Sequence, residues 1–170
     1  LIFRQVACYI GVAHWPVRVV AEQACQISHN ARFTIDGPIR QKDPAGNLQA
    51  ASQPGLEIPY NPNQVSNPEG MIASFAHVIA FYLGQLATRP PPGGQEFWPH
   101  TTELLAIFCG FGLMFANSAY TFRGSCASCY NPLANRDAYL TERQSTYALA
   151  IFAVLKNIPV KRVQKHLKGH

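Results

Sequence analysis

Residues 67–87, NPEGMIASFAHVIAFYLGQLA, decide the fold of this 170-residue chain. The opening is typical of a helix start: Asn67 can cap it, Pro68 suits the first helical position, and Glu69 favours the positive end of the helix dipole. The residues that follow are apolar on nearly every side, as expected of a helix that is buried all round. The stretch therefore predicts a core helix over residues 69–87, ended by the proline and glycine run of residues 90–94.

Further helices are predicted on both sides of this stretch. A second long helix is predicted from about Pro99 to Ser118, and a third over residues 142–156, where Thr141 and Gln144 form a capping-box signature. Pro159 opens a last amphipathic segment. Residues 1–31 are predicted to be helical as well, with Val17, Val20, Ala21, Ala24 and Ile27 near helical spacing and Pro16 in the first turn of the main helix.

Two short strands are predicted between these helices. The candidates are Phe33–Asp36 and Leu56–Tyr60, and Pro59 favours an edge or a strand end for the second. The fold class that follows is α+β, mainly helical, with a small β-hairpin or sheet packed on a helical core. Because the chain shows neither an internal repeat nor an interdomain linker, residues 1–170 are predicted to form one domain.

Composition narrows the function classes. With 48% hydrophobic and 14% charged residues, the chain has the composition of a globular protein. Its net charge is +5, but basic and aromatic residues are not interleaved as they are in nucleic-acid-binding proteins, so nucleic-acid binding is not expected. The longest apolar run, Leu104–Ala116, is shorter than the ~20 residues of a membrane span. Five sparse cysteines do not resemble a secreted disulfide framework, so a cytoplasmic location is favoured. Since the chain begins with Leu1, the sequence is also compatible with a longer polypeptide that carries a leader.

His77 and Glu103 are the first candidate site. His77 has apolar neighbours one turn away on its helix, and Glu103 lies on a largely apolar face of the next helix. Two helices joined by a short loop pack antiparallel, so the two side chains are expected to face each other. Three interpretations remain open. His77 is a core histidine with its own hydrogen-bond partner while Glu103 complements the helix dipole, or the two side chains pair directly, or both bind a metal ion.

The second candidate site is the pair Cys126 and Cys129. Gly124, Asn131 and Pro132 mark the surrounding segment as a turn-rich surface loop. A single Cys-x-x-Cys is compatible with a reduced thiol pair, with zinc ligation or with a disulfide, because a structural zinc site usually needs four ligands. Thioredoxin-like chemistry is not expected, since the motif does not follow a strand of a βαβ unit.

Several stretches resemble zincins, the zinc metallopeptidases with a His-Glu-x-x-His helix. Residues 67–78 are similar to the approach to that motif, with His77 at its second histidine. Residues 102–112 resemble the helix that supplies the acidic third ligand in uncharacterised bacterial zincin-like proteins, with Glu103 at that ligand. Residues 139–142 and 147–150 resemble the final helix of the same proteins. The resemblance covers roughly residues 17–160 and implies a gluzincin-type helical core.

The departure from the motif determines the functional expectation. Ala73 and Ser74 stand where the first histidine and the catalytic glutamate belong, and neither can bind zinc or activate water in their place. We therefore expect no catalytic residue and no cofactor, or at most zinc. The predicted function is a catalytically inactive zincin-like domain that binds a protein partner as an inhibitor, immunity or regulatory module. The alternatives are a metallopeptidase-like hydrolase using His77, His100 and Glu103, and a structural protein stabilised by zinc on the Cys-x-x-Cys.

Three exposed segments are the expected contact surface for that partner. They are residues 40–67, the loop Arg89–Trp98 and the basic tail Lys156–His170. Trp98 is either an interface anchor or a side chain that packs onto the core at the helix start.

Overall fold

The computed structural model describes residues 1–21, 38–41, 56–119 and 138–168. The chain divides into two compact units, Leu1–Pro62 and Asn63–His170. The mainly helical α+β class predicted from the sequence is confirmed. The prediction that residues 1–170 form one domain stays a prediction.

The first unit contains a short helix and a two-stranded sheet. Helix α1 (Ile2–Ile10) ends at Gly11, whose left-handed φ of 87° lets its N–H donate to the carbonyls of Ala7 and Cys8. Strand β1 (Val17–Ala21) pairs in parallel with β2 (Leu56–Tyr60), with Val17 opposite Leu56. The sequence predicted a small β-hairpin or sheet. A hairpin requires antiparallel strands, so this parallel pair is a small sheet and not a hairpin.

The structure overturns part of the predicted N-terminal helix. Helix is present at Ile2–Ile10, but Val17–Ala21 is a strand and Pro16 precedes it. Val17, Val19 and Val20 have β-branched side chains, which are stiff at χ1 and fit the pleated surface of a sheet. The prediction failed because a short apolar run does not by itself distinguish a helix from a strand. Strand β2 is confirmed, with Ile58 fully buried. Residues 22–31 and the candidate strand Phe33–Asp36 lie outside the described residues.

The second unit begins with the helix that the sequence predicted most clearly. Helix α2 spans Pro68–Gln85, and the Asn67 side chain accepts a hydrogen bond of 3.1 Å from the Gly70 N–H. A Cβ at Gly70 would lie 2.7 Å from the Asn67 amide nitrogen, so a side chain there would displace the amide group that caps the helix. Ala73, Ala76 and Ile79 are fully buried, as expected for a helix in the core.

The predicted second helix is present in two parts. Helix α3 (Trp98–Ala106) leads into a π-helical segment (Ile107–Phe111) and then into α4 (Gly112–Ala119). Gly110 has a φ of 105°, which breaks the regular helix there, and glycine is the residue that adopts this conformation without steric cost. The apolar periodicity runs through the break, so the sequence pattern did not reveal it.

Helix α5 (Glu142–Leu155) carries the predicted capping box. The Thr141 hydroxyl accepts from the Gln144 N–H, and the Gln144 side chain accepts from the Thr141 N–H at 2.8 Å. Helix α4 packs closely on α5. The two helices approach so closely at Gly112 that a Cβ there would lie 2.8 Å from the Leu149 Cδ1. The short helix α6 (Val160–Gln164) then packs against α5.

The C-terminal segment is tied to the start of α2 through Asn117 on α4. The Asn117 amide donates to the Glu69 carboxylate at 3.1 Å and to the His166 carbonyl at 3.0 Å, and its oxygen accepts from the Lys168 N–H at 3.1 Å. The Lys168 ammonium also pairs with Glu69. Residues 166–168 of the basic tail are therefore bound to the helical unit, and Lys168 is less available to a partner than the sequence suggested.

Candidate functional site

His77 and Glu103 lie together, as predicted. His77 stands in the middle of α2 and Glu103 in α3, and His77 Nδ1 is 4.0 Å from Glu103 Oε1. Glu103 is fully buried, whereas the His77 side chain keeps 24% of its surface exposed. The antiparallel packing of consecutive helices thus brings the two side chains within reach, but His77 is only partly buried.

The Glu103 carboxylate is held by backbone donors that precede α5. Its Oε1 accepts from the Tyr139 N–H at 3.2 Å, and its Oε2 accepts from the Leu140 N–H at 2.8 Å. Hydrogen bonds to an ionised carboxylate are stronger than neutral ones and offset part of the cost of its burial. Glu103 therefore links α3 to the turn before α5, and both of its oxygens serve this link. No side-chain motif could have revealed these partners, because the donors are main-chain amides.

Aromatic rings complete the surroundings of this pair. The Tyr139 ring stacks on the His77 ring with centroids 6.0 Å apart and an interplanar angle of 17°. His100 meets the same tyrosine edge-on at 6.2 Å and lies 6.0 Å from the Phe97 ring. Tyr139 is thus a functional-site neighbour that the sequence analysis did not single out, since it is 36 residues from Glu103 and 39 from His100.

The residues around His77 do not form a metal centre by themselves. Within residues 1–21, 38–41, 56–119 and 138–168, no group of three or more His, Cys, Asp and Glu side chains is placed to hold a metal ion. The set of His77, His100 and Glu103, considered above as an unusual ligand set, is therefore not such a group. Ala73, one turn before His77, is fully buried and has no ligating atom. The site at Cys126 and Cys129 lies outside the described residues and stays a prediction.

The structure shows a further candidate site, the outer face of α5. Its members are apolar side chains that point away from the core, here called the α5 outer face: Tyr147, Ala150, Ile151, Val154 and Leu155. Tyr147 and Val154 are each 71% exposed, and Leu155 is 65% exposed. Together the five residues line a shallow depression of about 320 Å³. A cluster of exposed apolar side chains of this kind is a common mark of an interaction site.

The position of Trp98, at the start of α3, distinguishes its two interpretations. A Cβ at Gly84 would lie 3.0 Å from the Trp98 ring, so Trp98 packs onto α2, and its Nε1 donates to Gln95 at 2.7 Å. Of the two interpretations of Trp98, packing at the helix start is the one observed. Phe97 remains 45% exposed.

Among the residues that the structure describes, one helical stretch meets the length and composition criteria of a membrane span. Gln95–Ala119 has 25 residues, its most apolar window of 18 residues has a mean hydropathy of 1.4, and half of that window is buried. Core helices of soluble proteins meet the same criteria, and this stretch contains the buried carboxylate of Glu103 and the break at Gly110. The expectation that the chain has no membrane span stays a prediction.

Comparisons of the chain with protein-family models, with curated proteins and with solved structures give no significant match. The zincin-like resemblance therefore stays a prediction from the sequence motifs.

Proposed function

We propose that this chain is a catalytically inactive, zincin-like domain that binds a protein partner as an inhibitor, immunity or regulatory module. The observation that carries the proposal is the α5 outer face. Large apolar side chains on a helix whose opposite face is packed are normally covered, because water contact with apolar surface is unfavourable by roughly 25 cal/mol per Å². A partner that buries this face would recover that free energy.

The surroundings of His77 support the non-catalytic part of the proposal. Metallopeptidase chemistry needs three zinc ligands and a carboxylate that activates water. Here Ala73 and Ser74 occupy two of the required positions, and both oxygens of Glu103 accept hydrogen bonds from the backbone amides of Tyr139 and Leu140. A histidine and a carboxylate used in this way stabilise the fold, and function then depends on a surface.

The test is site-specific photo-crosslinking. A benzoylphenylalanine placed at Tyr147 conserves the aromatic character of this position, and the same group at Val65 serves as the control. Val65 lies on the 3-10 turn Pro62–Ser66 and is 69% exposed, so the two positions are matched in exposure. In extract of the host cell, light should produce a discrete protein adduct from position 147 and none from position 65.

Two results would overturn the proposal. One is the absence of any protein adduct at position 147 across host extracts prepared at different growth stages. The other is cleavage of a peptide by the purified chain that His77→Ala abolishes.

A further inference from the structure

We infer that the α5 outer face binds an acidic amphipathic helix of the partner protein, packed along α5. This inference rests on the proposed function and specifies the chemistry of its partner. Tyr147, Ala150, Ile151 and Val154 stand at positions i, i+3, i+4 and i+7 of one helix, which is the arrangement of four residues that forms a hole for a side chain of a facing helix. All four residues belong to the lining of the depression.

Ala150 has the smallest side chain of the four residues and stands between the larger Tyr147, Ile151 and Val154. The depression that they line with Leu155 is apolar. A leucine or isoleucine from a partner helix fits such a position, as side chains at the a and d positions do in helical bundles. Leu155, one turn after Ile151, extends the seam to the last residue of α5.

The charge around the seam selects an acidic partner. Between residues 138 and 168 Glu142 is the single acidic residue, whereas six residues are basic: Arg143, Lys156, Lys161, Arg162, Lys165 and Lys168. Arg143 is exposed one turn before Tyr147, and Lys156 follows Leu155 directly. Lys168 is paired with Glu69, but Lys161, Arg162 and Lys165 are exposed on the segment that follows α5. Carboxylates flanking the apolar seam of the partner would therefore be attracted from both ends.

The same features disfavour two other occupants. A second copy of this chain would bring one basic border against another, and like charges placed in an interface are destabilising. A membrane surface is also attracted to basic residues, but a lipid surface offers no side chain to fill the depression that the five residues line. A helix with a side chain to fill the hole is the occupant that matches both the shape and the charge.

The probe for the inference is a peptide of about 21 residues, three heptads long, with Leu at a and d and Glu at e and g. The matched control peptide carries Lys in place of each Glu. In fluorescence anisotropy with the full chain at low salt, the acidic peptide should bind at least about tenfold more tightly than the basic one, and the difference should narrow as salt is added.

Two variants separate shape from charge. Ala150→Leu fills the hole while keeping the face apolar, and leucine at this exposed helical position is compatible with the fold. It should weaken acidic-peptide binding by about fivefold or more, since the partner side chain loses its cavity. The pair Lys161→Glu and Arg162→Glu should weaken it by about tenfold, whereas Arg89→Glu, an exposed charge on another loop, should leave it within about twofold.

Several outcomes would overturn the inference. They are equal binding of the acidic and basic peptides, binding that Ala150→Leu leaves unchanged, and binding to vesicles of phosphatidylglycerol and phosphatidylcholine in place of the peptide. Concentration-dependent self-association abolished by Tyr147→Glu would assign the face to a second copy and would also overturn it. If position 147 crosslinks a protein but the peptides do not discriminate by charge, the proposed function stands and this inference fails. If no protein crosslinks and no peptide binds, both fail.

Discussion

The carboxylate of Glu103 accepts a hydrogen bond of 2.8 Å from the main-chain N–H of Leu140, and this contact joins two helices that are distant in sequence. Glu103 lies in α3, and Leu140 stands directly before the capping box of α5. A buried carboxylate with two main-chain donors acts as a cap for a segment that has no regular structure of its own. The residue that the zincin resemblance places at the acidic zinc ligand thus has a structural role here.

Removal of this carboxylate should destabilise the fold. Glu103→Ala leaves the buried Leu140 N–H and the part-buried Tyr139 N–H without their acceptor. The loss costs about 1–3 kcal/mol at the buried group and less at the other, so the free energy of unfolding should fall by roughly 2–4 kcal/mol. Glu103→Gln keeps one acceptor oxygen and should lose roughly half as much. Urea denaturation followed by circular dichroism measures both. Glu96→Ala, an exposed acidic residue in the turn before α3, is the control and should change stability by less than about 0.5 kcal/mol. An unaltered midpoint for Glu103→Ala would contradict the capping role.

Asn117 should hold the C-terminal segment in place. Asn117→Ala removes hydrogen bonds to Glu69, His166 and Lys168 and should lower the free energy of unfolding by about 2 kcal/mol. Amide hydrogen exchange at Lys168 should accelerate more than exchange in α5, since its acceptor is lost. Gln85→Ala, at the exposed end of α2, is the matched amide control. Unchanged protection at Lys168 would show that other contacts hold the segment.

Gly110 should be sensitive to any side chain. Its φ of 105° is unfavourable for L-residues, so Gly110→Ala should destabilise the protein by about 1–2 kcal/mol. The thermal midpoint by differential scanning fluorimetry reports the change. The opposite result, a more stable Gly110→Ala protein, would mean that α3 and α4 can join as one regular helix.

The purified chain should not cleave peptides with or without added zinc. Ala73 contributes no ligand, Ser74 no carboxylate base, and the Glu103 oxygens already accept main-chain hydrogen bonds. Incubation with an unfolded protein substrate, with and without a chelator, followed by mass spectrometry of the products, checks this. Chelator-sensitive cleavage that disappears in His77→Ala would refute it, and cleavage that persists in His77→Ala would point to a contaminating protease.

Local signals in the sequence determined most of the helical unit. Asn67 and Pro68 marked the start of α2, and Thr141 with Gln144 marked the start of α5, because a cap involves residues only three positions apart. The strand at Leu56–Tyr60 was also predicted from its own residues, although its partner β1 was not. The proximity of His77 and Glu103 was also predictable, since consecutive helices joined by a short loop pack side by side.

Only the tertiary structure decided the rest, because those features depend on partners far along the chain. Val17–Ala21 is a strand because it pairs with residues 39 positions away, and local spacing alone also allowed a helix. Glu103 reaches main-chain donors 36 and 37 positions away that no side-chain pattern reveals. The sequence predicted α5 as a helix. Which of its apolar residues are covered was decided by the packing of α4, whose Gly112 contacts Leu149 of α5. Tyr147 and Val154 remain in solvent for that reason, and they form the surface on which the proposed function rests.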